Sequence, residues 1–172
     1  MNKHVYFQPI KCGFLWSGIL FVFLVVSPCL AVCEPTFEEN LEWCKALSTE
    51  ASYKAMEAQV TCDYGTANLA FNLAEEAEYL AQKMSTLAQE SSDPKMAWAA
   101  YNLCSQVDTA VTAVIKAANH IVEHSVKKDE IRAAKFLLED CETTKMKNGK
   151  AIETVLAPFR ENNRRAEAYP GK

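Results

Sequence analysis

The sequence predicts an all-α protein, an antiparallel up-and-down four-helix bundle. Beyond residue 33 the chain carries only Gly65, Gly149 and Gly171, with prolines at 35, 94, 158 and 170. Alanine is abundant there and no stretch alternates apolar with polar residues, so nothing favours strands. Short polar breakers separate long stretches whose apolar residues recur three, four or seven apart, the spacing of a helix face.

The first 33 residues stand apart. Lys3 and Lys11 give a basic start without an acid, Gly13 to Val26 is apolar, and Pro28 with CLAVC follows. Fourteen apolar residues make about 21 Å of helix, short of a bilayer core of roughly 30 Å. The order basic, apolar, small is that of a secretory signal peptide, with cleavage expected between Ala31 and Glu34; an uncleaved anchor is the alternative. Residues 34–65 then form a helical extension, 66–166 the bundle and 167–172 a polar tail. All 22 acids lie beyond residue 33, against 16 of the 18 Lys and Arg, a net charge of −6. An acidic domain without a basic patch argues against nucleic acid as a partner.

Thr36 to about Cys62 is helical by composition, and DYGT (Asp63 to Thr66) interrupts it. From Ala67 to Gln89, Leu69, Leu73, Leu80, Met84 and Leu87 form the expected core stripe, flanked by Ala70, Ala77 and Ala81. SSDP (Ser91 to Pro94) stops and restarts the chain, with Asp93 as N-cap and Pro94 as first helical residue. The next helix places Tyr101, Cys104, Val107, Val111, Val114, Ala118 and Ile121 on one face. KKD (Lys127 to Asp129) closes it, and Asp129 caps a helix that buries Ile131, Ala134, Leu138 and Cys141. KNGK (Lys147 to Lys150) marks a turn before a short helix bent or ended near Pro158. Five helical segments thus compete for four bundle positions.

HIVEH (His120 to His124) matches the H-x-x-E-H pattern of one class of zinc peptidases. At about 100° per residue both histidines fall on the outer face, opposite the stripe through Val111, Val114, Ala118 and Ile121. A catalytic zinc needs three protein ligands, and the chain beyond residue 33 has no third histidine. The motif is expected to be a solvated helix end, and neither a metal nor another cofactor is expected. Asp108, one turn after Cys104, borders the stripe and is expected to reach solvent. Trp43 and Trp98, near chain reversals, are expected to serve as cap or core packing.

Four cysteines follow the leader: Cys44, Cys62, Cys104 and Cys141. In an exported chain an even count suggests two disulfides, in one of three pairings. Cys104 and Cys141 lie on inward stripes and are equidistant from position 122.5, although a turn at 125–128 puts them out of register by several residues. Cys44 would then pair with Cys62, which requires the first segment to fold back near Ser48 to Ser52 into a hairpin. The rival pairing, 44 with 104 and 62 with 141, suits a continuous first helix. The first pairing is preferred.

These stretches resemble the plant cell-wall invertase and pectin methylesterase inhibitor domain. DPKMAWAAYNLC (Asp93 to Cys104), SQVDTAVTAVIKA after it and IRAAKFLLEDC (Ile131 to Cys141) are similar to segments of that family around its third and fourth cysteines. The resemblance implies an N-terminal helical hairpin closed by one disulfide, Cys44 to Cys62. It also implies a four-helix bundle whose second and third helices share the other, Cys104 to Cys141. It further implies a secreted, apoplastic, non-enzymatic inhibitor of a cell-wall carbohydrate-active enzyme, pectin methylesterase or invertase, with no membrane association after leader cleavage. The alternative is an exported bacterial bundle with an envelope-structural, adhesion or metal-binding role.

Overall fold

A computed structural model describes residues 35–168, which fold into four helices: α1 (Phe37–Thr61), α2 (Tyr64–Ser91), α3 (Pro94–His124) and α4 (Lys128–Ala168). The expected signal peptide lies outside the described residues. Among the described residues there is no strand, and no helix is long and apolar enough to cross a membrane.

Local chemistry explains where the helices start. Thr36 and Glu39 form a capping box on α1: Glu39 N–H donates to Thr36 Oγ1 (3.2 Å) and Thr36 N–H to Glu39 Oε2 (2.8 Å). Asp63 accepts from Thr66 N–H (2.7 Å) and Asp93 from Lys95 N–H (2.8 Å), with Pro94 at the first helical position as its fixed φ favours. The first two reversals share one device. A left-handed residue ends the helix, Cys62 at φ 53° or Ser92 at φ 55°, and the next residue is the capping aspartate. Such two-residue loops force the following helix back alongside its predecessor. At the third reversal Ser125 Oγ donates to Glu130 Oε2 (2.9 Å) and accepts from Lys127 N–H (3.2 Å). Lys128 opens α4, so Asp129 sits in the first turn rather than at the cap.

Three of the expected boundaries are absent. Residues 37–61 make one continuous helix, so the hairpin does not form and α1 is itself a bundle member. Ser48 and Ser52, where the fold-back was expected, lie inside it and donate to the carbonyls of Cys44 and Ser48. KNGK does not break α4, and Pro158 lies within it. The glycine costs about 1 kcal/mol in a helix interior, but Asn148 beside it occupies a buried position in series with Cys141, Thr144, Ala151 and Val155. Tertiary packing therefore overrides the local turn preference. Five expected segments become four.

α2 and α3 each pack against all three other helices, whereas α1 and α4 do not meet. The cross-section is a rhombus with α2 and α3 on its short diagonal. Going round its edge, α1 and α3 are parallel neighbours, and so are α2 and α4. The chain still runs up and down, as expected.

The core is narrow because its faces are small. On α1 the buried residues are Asn40, Cys44, Ser48, Ala51, Ala55 and Ala58. On α2 the expected leucine stripe is displaced: Ala67, Ala70, Ala74, Ala77, Ala81, Met84 and Ala88 are buried, and Leu69 is 47% exposed. Leu73, Leu80 and Leu87 flank this face, half-buried. A helix touched by three neighbours has little room for branched side chains, and interaxial distance follows side-chain size at the contact. Large apolar volume comes from α3, through Val107, Val111, Val114 and Ile121 as its stripe predicts, and through Leu103, which the stripe leaves out, whereas Tyr101, placed on it, is half-buried.

Candidate functional site: an apolar cleft between α3 and α4

At the end of the bundle where α3 begins, Trp98 and Tyr101 are one helical turn apart. Their rings stack with centroids 5.6 Å apart and planes at 21°. Pro94 and Ala97 from the same helix and Val155 and Leu156 from α4 complete an apolar cleft of about 460 Å³. Pro94 keeps the entry to α3 tight, and the small side chain of Ala97 leaves the floor low. Trp98 is 65% exposed. Neither it nor Trp43 packs in the core, contrary to the sequence expectation, since Trp43 is 54% exposed. Only the tryptophan N–H and the tyrosine O–H bring polar atoms to the lining side chains. Such a cleft favours apolar contact with orientation from one or two hydrogen bonds.

Two shallower polar grooves follow the parallel helix pairs. One, about 300 Å³, runs between Lys45, Ser48, Thr49 and Ser52 of α1 and Gln106 and Thr109 of α3. The other, about 260 Å³, runs between Gln82, Ser85 and Thr86 of α2 and Lys147, Lys150 and Thr154 of α4.

Beneath the second groove lies a buried polar seam. Glu78 is almost fully buried and is hydrogen-bonded by Gln82 Nε2. Burial raises its carboxyl above the usual range, partly offset by the Lys147 charge and the Gln82 bond. Ser85 Oγ lies 3.5 Å from Cys104 Sγ, and Asn148 Nδ2 donates to the Cys104 carbonyl at 2.7 Å. Asn148 Oδ1 is buried without a protein partner.

The four cysteines do not come together. All are free, and only Cys62 is partly accessible. Cys104 is level with Asn148, so Cys141, seven residues earlier on α4, is displaced by about 10 Å along the axis, beyond disulfide reach. The turn at 125–127 sets that register. Cys44 and Cys62 lie eighteen residues apart on a straight helix, about 27 Å. The rival bridge from Cys62 to Cys141 is also closed, because α1 and α4 do not meet. Neither expected pairing can thus close both its bridges in this fold, and the structure shows no disulfide among the four. Burial pushes the Cys44 and Cys141 thiols up to about 12 and raises that of Cys104. They are protonated at neutral pH and are poor nucleophiles.

Alkylation of the folded protein, read by peptide mass mapping, is expected to modify Cys62 and spare the other three. All four should react after unfolding. A peptide pair linking any two of them, seen without reductant and lost on reduction, would overturn this arrangement.

Asp108 is half-exposed, 3.5 Å from Lys145 Nζ, as the sequence suggested. His120 and His124 stack on the outer surface of α3, and among the described residues no group of three metal-ligating side chains forms. The exposure of Trp98 was not readable from the sequence, because it depends on where α4 passes. No protein-family model, curated protein or solved structure matches this chain.

Proposed function

We propose that this protein is a non-enzymatic binding protein that seats an apolar element of a partner protein in the cleft between α3 and α4. The observation that carries the reading is the stacked Trp98–Tyr101 pair, set over an apolar floor and left open to solvent. Tryptophan and tyrosine contribute large contact area at low entropic cost, and they are enriched among residues that dominate binding energy. Helices on both sides of the cleft hold it in shape, so little ordering is required on docking.

In its most specific form the partner is a pectin methylesterase or acid invertase of the cell wall, bound as an inhibitory complex outside the cell. That form rests on the leader-like first 33 residues and on the resemblance of Asp93–Cys104 and Ile131–Cys141. It no longer draws on the hairpin or the bridges. The purified protein is expected to bind one of these enzymes, and Trp98→Ala to weaken the complex roughly 30-fold, the effect of losing a central aromatic anchor. Binding that is unchanged in Trp98→Ala removes the cleft from the interface. Absence of binding to both enzymes removes the inhibitor form.

A further inference from the structure

The two histidines of HIVEH have a geometry that the peptidase comparison does not use. Their rings stack with centroids 4.1 Å apart and planes at 23°, near the C-terminal end of α3. His124 Nδ1 lies 3.0 Å from the His120 carbonyl oxygen. A carbonyl oxygen only accepts, so Nδ1 carries the proton and Nε2 keeps its lone pair. An imidazole whose second nitrogen donates to a backbone carbonyl has the tautomer and orientation found around bound metal ions.

We propose that His120 and His124 form an open two-imidazole clip for a late first-row divalent cation. One helical turn brings the rings onto the same face in near-parallel planes, so both Nε2 edges can be directed outward together. A metal–nitrogen distance of about 2.0–2.1 Å asks the two nitrogens to approach to roughly 3 Å and both ring planes to pass through the ion, so the stacked rings must turn out of parallel on binding. Water fills the remaining positions. With two imidazoles as ligands the affinity order favours Cu²⁺ over Ni²⁺ and Zn²⁺. This site is distinct from a catalytic zinc centre, which needs a third protein ligand, and from the apolar cleft at the start of α3. Its consequence is local: a bound cation ties together the last turn of α3, just before the Ser125–Lys127 reversal.

The test uses protein made without a histidine tag, carrying Cys62→Ser so that the accessible thiol is not counted. Titration calorimetry with Cu²⁺, and separately with Zn²⁺, is expected to show one ion per chain. The affinity should fall at least tenfold in His120→Ala and in His124→Ala alike. Melting temperature should rise with added Cu²⁺ in the histidine-containing protein and not in either variant. His124 is exposed and His120 half-buried, and an unchanged helical circular dichroism spectrum checks folding. The proposal is overturned if no ion binds, or if either alanine variant binds as the parent does.

Discussion

Ala74→Leu is expected to destabilise the folded protein by about 3 kcal/mol, at the upper end of the usual cost of overpacking a core. Ala74 is fully buried at the middle of the α2 face formed by Ala67, Ala70, Ala77, Ala81, Met84 and Ala88. Across it α1 also presents small side chains, including Cys44, Ser48, Ala51 and Ala55. The residues that meet Ala74 most directly, on both sides, are mostly alanine, serine or cysteine, with no side chain to swing away. Phe71 and Glu78 on the adjoining turns are themselves buried. Three added carbons must therefore separate helices or force strained rotamers. The measurement is chemical denaturation, supported by a drop of roughly 10 °C in melting temperature. Leu69→Ala is the informative control. Leu69 is half exposed, so its truncation should cost under about 1 kcal/mol. A reading of α2 from leucine spacing predicts the opposite order. If Leu69→Ala proves the costlier change, the face assigned here to the core is wrong.

That inversion marks how far the sequence was legible. Signals made by neighbouring residues carried through: Asp93 and Pro94 start α3 because cap and ring act within one turn. The valine stripe of α3 was legible too, because Val107, Val111, Val114 and Ile121 recur at helical spacing on one side. α2 was ambiguous, since alanine fits either face and only the closeness of three neighbours decides that leucine goes to the flank. Gly149 failed as a breaker because the buried seam on α4, from Cys141 to Val155, runs past it on both sides and outweighs a cost of about 1 kcal/mol. The cysteines misled for a related reason. Their offsets from a turn are countable, but whether a two-turn mismatch is absorbed depends on helix register, which Asn148 and Cys104 reveal only in three dimensions. The cleft was least legible: Trp98 looks like core material until the course of α4 is known.

The seam also sets the second large effect, at Asn148. The side chain is buried, its Nδ2 donating to the Cys104 carbonyl and its Oδ1 left without a protein partner. Asn148→Asp keeps the shape, removes the donor and turns a lone-pair-bearing oxygen toward that carbonyl. An uncompensated carboxylate at such a place is expected to cost about 3 kcal/mol at pH 7. Its protonation limits the loss. Burial raises the folded-state pKa of the new carboxyl above its unfolded value near 4, so the folded form binds the proton more tightly. The penalty is then absent below about pH 4, grows as pH rises toward the raised value and is constant above it. Glu78, also raised by burial, contributes the same sign in the parent, so the variant must be compared with the parent at each pH. Asn148→Leu separates charge from shape. It removes the donor together with the unpartnered oxygen, and the Cys104 carbonyl, inside α3, is left with its intrahelical bond alone, so the loss is about that of one net hydrogen bond. Its stability should stay within about 1 kcal/mol of the parent and show no added pH dependence. Equal losses in the two variants, or an aspartate penalty that persists at pH 4, would mean that Asn148 is held by steric fit and that the low polarity of the seam has been misjudged.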